Sequence, residues 1–103
     1  MKHAGPVTLA SLAPLLRQLR SVDGLTERKP GVFYLRSQAF LHFHEDPAGI
    51  FVDVKLDGSS FERLALRTAA DRADLHKKVA QRVARMQESK QVRVVGRPER
   101  RHG

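Results

Sequence analysis

From Ala39 to Leu56 the chain alternates apolar and polar residues on both sides of one turn signal, and no other stretch constrains the fold as strongly. Asp46-Pro47-Ala48-Gly49 places Asp, Pro and Gly at the first, second and fourth positions, as a type I turn prefers. Two period-two segments joined by so short a connection must pair antiparallel. On the first, Leu41 and Phe43 point one way and Phe40, His42 and His44 the other. On the second, Ile50, Val52, Val54 and Leu56 share one face, and Phe51, Asp53 and Lys55 share its opposite. Only a register that brings the aliphatic sets together makes a core. A two-residue loop at Pro47-Ala48 puts His42 opposite Asp53 and His44 opposite Phe51. A four-residue loop puts His44 opposite Asp53. In both cases Asp53 and the two histidines share the face away from the core.

Flanking patterns extend this hairpin. Leu12, Leu15, Leu16 and Leu19 recur at helical spacing after Ser11, a candidate N-cap, and Gly24 is a candidate stop, so a helix is expected over 12–22. Residues 1–10 read as a loose lead-in, and Thr26 to Gly31 as a polar loop. Val32 to Arg36 is rich in strand formers. Asp57-Gly58 signals another hairpin turn, and Phe61 to Leu66 a fourth, weaker strand. Thr68-Ala69-Ala70-Asp71 resembles a capping box and opens a second helix whose stripe is Leu75, Val79, Val83 and Met86, ending near Ser89. Gln91 to Val95 is a candidate edge strand, followed by a mobile tail. The expected fold is α+β: an antiparallel meander of four to five strands with two helices packed on one face. Residues 1–89 form the single domain, and residues 90–103 a basic C-terminal segment.

The chain contains no cysteine, which excludes a disulfide framework, a thiol nucleophile and thiolate-ligated metal. No apolar run approaches a membrane span, and the N-terminal stretch is too interrupted for a signal peptide, so a cytoplasmic location without membrane partners is expected. Net charge is +8, and half of the excess lies in residues 90–103, with five basic residues and one acidic. That segment is where attraction to polyanions would be strongest.

Three sets of residues could carry function. His42, His44 and Asp53 form a polar cluster. It can be a solvated face with a His–Asp hydrogen bond, a divalent metal site, or an acid–base pair. A carboxylate beside an imidazole would favour its protonated form. Lys78, Arg82 and Arg85 lie along one flank of the second helix, and Arg93, Arg97, Arg100 and Arg101 follow in the tail. These fit a charged, solvated surface or a non-specific nucleic-acid contact. Finally, Phe40 and Phe51 share the outer sheet face, joined by Phe33 and Leu35 if the first strand turns at Ser37-Gln38. Such a patch would suit a homodimer, unless the C-terminal segment covers it.

The segment Phe40-Leu41-His42-Phe43-His44-Glu45-Asp46-Pro47-Ala48-Gly49 resembles small uncharacterised bacterial proteins. The helix, Val22-Asp23-Gly24, the meander and the late helix resemble the YjbR-like group, over roughly residues 12–85. That resemblance implies a CyaY-like α+β fold and carries over no activity, cofactor or site residue. This chain lacks the tryptophan that the group would place near its end. A non-catalytic binding or interaction module is the leading expectation. A metal-dependent or His–Asp enzyme and a nucleic-acid binder are the alternatives.

Overall fold

The computed structural model describes the backbone of residues 1–99 and the side chains of residues 1–87. Strands β2 (Leu25–Lys29), β3 (Val32–Leu35), β4 (Gln38–Asp46), β5 (Gly49–Val54) and β6 (Glu62–Ala65) run as an antiparallel meander in that spatial order. A two-residue strand, β1 (Lys2–His3), pairs with β4 just beyond the end of β3. Helices α1 (Pro6–Ser11), α2 (Ala13–Arg20) and α3 (Ala69–Glu99) complete the α+β fold.

The β4–β5 register is the one that a two-residue loop dictates: His42 faces Asp53, Phe43 faces Val52, and Asp46 faces Gly49. The Asp46 carboxylate accepts the Ala48 N–H at 2.8 Å, which closes the turn. On the inner face Phe33, Leu41, Phe43, Val52 and Val54 meet both leucine and valine stripes, Leu12, Leu15, Leu16 and Leu19 from the α2 region and Leu75, Val79 and Val83 from α3. Each such side chain removed from water contributes about 1.5–3 kcal/mol. The capping box at Thr68 forms as its spacing predicts. The Thr68 hydroxyl accepts the Asp71 N–H at 3.1 Å, and the Asp71 carboxylate accepts the N–H groups of Thr68 and Arg67 at 3.0 and 2.7 Å.

Several local expectations are corrected. The lead-in is ordered as β1 and α1, and Ser11 ends α1 rather than capping α2, whose N-cap is Leu12. The polar stretch after Leu25 is an edge strand, not a loop. It turns into β3 through Pro30-Gly31, where Gly31 takes φ 76° and a Cβ would meet the Leu9 side chain at 2.8 Å. The β3–β4 turn is Arg36-Ser37, and a bulge follows, because Phe33 pairs with Leu41 while Tyr34 pairs with Ala39. The extra residue is Phe40. The bulge turns it to the inner side with Leu41, and it is 3% exposed. Phe33 and Leu35 are core residues as well. Of the outer apolar patch expected from Phe40 and Phe51, which Phe33 and Leu35 would have joined through a Ser37-Gln38 turn, only Phe51 remains there, half-buried. The Gln91 to Val95 segment is not an edge strand, since its backbone continues α3, which runs through Glu99. Residues 100–103, with Arg100 and Arg101, lie outside the described residues.

Candidate metal centre

The outer face of the sheet is built by strand parity. His42 and His44 stand two residues apart on β4 and so project to one side. Beside them β1 sets His3 directly opposite His44. Its position is held by contacts on either side of it in the chain. The Glu45 carboxylate accepts the Gly5 N–H at 2.7 Å and lies 3.8 Å from the Lys2 ammonium, while the Ala4 N–H donates to the Phe43 carbonyl at 3.0 Å. The Thr8 hydroxyl, the Gly5 N–H and Lys2 together hold the Glu45 carboxyl below its ordinary range.

The three imidazoles form one cluster. Ring centroids of His3 lie 5.5 Å from His42 and 5.0 Å from His44, and His42 and His44 are 4.7 Å apart. Phe61 closes the far side of His42 at 4.9 Å. One ring nitrogen from each histidine lies within 4.8 Å of the other two. Tetrahedral zinc with Zn–N bonds of about 2.0–2.1 Å needs ligand nitrogens roughly 3.4 Å apart, which lies inside the 4.8 Å limit of the cluster. At present His42 Nδ1 and His44 Nε2 share a hydrogen bond of 2.7 Å. His44 is 8% exposed, and its Nδ1 is buried without a hydrogen-bond partner. A buried imidazole nitrogen with an unused lone pair or proton is costly unless something engages it.

Asp53 sits behind the cluster. Its Cα faces His42, as the register requires, but its carboxylate reaches diagonally to His44 Nε2 at 3.2 Å. On its other side Arg63, opposite Asp53 on β6, forms a two-pronged pair at 2.8 Å on both oxygens. That guanidinium, acting against the cost of burial, holds the Asp53 carboxyl below its ordinary range. His42 responds in the direction opposite to the one expected from a neighbouring carboxylate. Burial, then the neighbouring His44, push its pKa down and outweigh Asp53. A lowered pKa favours the neutral imidazole, the form that binds metal.

His42, His44 and Asp53 are therefore brought together. Sequence reasoning missed His3, because a two-residue strand carries no periodicity, and Arg63, which the register of the fourth strand could have revealed. The basic candidates are dispersed. Lys78 pairs with Asp74 at 2.9 Å, Arg82 packs against Gly58, and Arg85 is exposed. Arg93 and Arg97 fall on the α3 backbone, beyond the described side chains. No described helix is long and apolar enough to cross a membrane.

An open groove of about 1090 Å³ adjoins the histidines. His3 and His42 form one end, Leu9, Val32, Tyr34 and Ala39 contribute apolar wall, and Arg28 and Lys29 lie on the β2 side. No protein-family model matches the chain, and no curated protein or solved structure is significantly similar to it.

Proposed function

We propose that this chain is a non-catalytic binding domain whose ligand is a divalent transition-metal ion of the zinc class, held by His3, His42 and His44. The observation that carries this reading is the convergence of three imidazole nitrogens within 4.8 Å on one sheet face. Neutral imidazoles without thiolates suit zinc, copper or nickel rather than magnesium or calcium, which select oxygen. Asp53, itself anchored by Arg63, contacts His44 Nε2, the nitrogen that also faces His42, and so fixes that ring within the cluster. Three protein ligands leave a fourth position, where a zinc enzyme holds its reacting water and where a binding domain would take a small-molecule ligand. The same commitment of Asp53 to Arg63 argues against a free carboxylate base, and so favours binding over acid–base catalysis.

Metal analysis of protein purified without a histidine tag, together with cobalt titration followed by visible absorption, tests this reading. One ion per chain is expected, lost in His42→Ala and His44→Ala and much weakened in His3→Ala. Equal uptake by the triple alanine variant would overturn it.

A further inference from the structure

The groove beside the histidines has a chemistry of its own. The register places Lys29, Val32 and His42 in one transverse row across β2, β3 and β4. Two strand spacings separate Lys29 from His42, on the order of 10 Å at roughly 4.8 Å per strand. Val32 forms the floor between them, and Tyr34 and Ala39 extend it. Arg28 lies over the Tyr34 ring at 4.4 Å, which fixes its guanidinium beside this floor. No described carboxylate forms an ion pair with Arg28 or Lys29, whereas Arg20, Arg63 and Lys78 each have one. One end of the groove is thus lined by two histidines of the three-histidine cluster, the other is cationic, and the middle is apolar.

We propose that the groove takes a rod-like organic dianion of the aromatic dicarboxylate class. One carboxylate fills the open position on the metal. The apolar body lies over Val32 and Ala39 beside Tyr34, and the second carboxylate meets Lys29 and Arg28. This proposal rests on the metal reading above. Charge complementarity at both ends selects the ligand: a neutral molecule would leave the cations unmatched, and a monoanion would satisfy only one end.

Calorimetric titration with biphenyl-4,4′-dicarboxylate and with biphenyl-4-carboxylate tests it. Zinc content is measured first. Zinc-loaded protein should bind the dicarboxylate about tenfold or more tighter than the monocarboxylate, a difference matching one charge-assisted contact. The Arg28→Ala/Lys29→Ala protein should lose that preference while keeping its zinc. Metal-free protein should bind both probes weakly. Zinc-loaded protein that ignores the dicarboxylate, or that prefers it equally without Arg28 and Lys29, overturns this proposal and leaves the metal reading standing. A chain that takes up no zinc overturns both.

Discussion

His3 faces His44 across the short β1–β4 ladder, so a residue from the extreme N-terminus completes a cluster otherwise confined to one strand. Two backbone-paired residues cannot hold such a strand by themselves. The Glu45 carboxylate does much of that work through Gly5, and Glu45 is adjacent to His44 in the chain. Replacing Glu45 by Ala should therefore release β1 while leaving the core intact. Metal affinity should fall toward that of His3→Ala protein, and combining both changes should add little further loss. Full additivity would mean that Glu45 does not act through His3.

Phe40 tests the bulge. By simple alternation it belongs to the outer face, where truncation would cost little. Buried at 3% exposure among Leu35, Lys55 and Met86, it should behave as a core residue. Phe40→Ala should cost about 3–5 kcal/mol in denaturant unfolding. The half-buried Phe51→Ala should cost distinctly less. Equal costs would contradict the placement of Phe40.

How much of this was legible in the sequence depends on whether a residue's position was set locally. Period-two side-chain direction and the need for the aliphatic faces to coincide placed His42, His44 and Asp53 on one face but allowed two registers, of which the two-residue Pro47-Ala48 loop, with His42 against Asp53, is the one formed. The leucine stripe of α2 and the Leu75, Val79, Val83 stripe of α3 were visible for the same kind of reason. β2 was not visible. Thr26, Arg28 and Lys29 are polar because an edge strand meets water, and only pairing with β3 makes the segment extended. Phe40 was misplaced because one bulge residue breaks alternation. His3 carried no signal, since its strand exists through contacts with β4 and Glu45.

The start of α3 makes a pH prediction. The Asp71 carboxyl is held below its ordinary range by the N–H groups of Arg67, then Thr68. A depressed folded value means that the unfolded chain takes up the proton first on acidification. The stabilisation is therefore complete above the unfolded value of about 3.9 and is lost as pH falls through the lower folded value. Asp71→Asn should flatten the acid limb of the stability curve in that window and leave its slope near neutrality unchanged. Thr68→Ala should cost about 1 kcal/mol at neutral pH. An acid limb identical in Asp71→Asn would contradict the capping geometry.

X-ray absorption at the zinc edge tests the central claim most directly, because it counts imidazoles around the ion. Zinc-loaded protein should show nitrogen ligands at about 2.0–2.1 Å with the outer-shell scattering of three imidazoles, from His3, His42 and His44. His3→Ala protein should show two. An imidazole count that is the same with and without His3, or a shell without imidazole, would contradict the account.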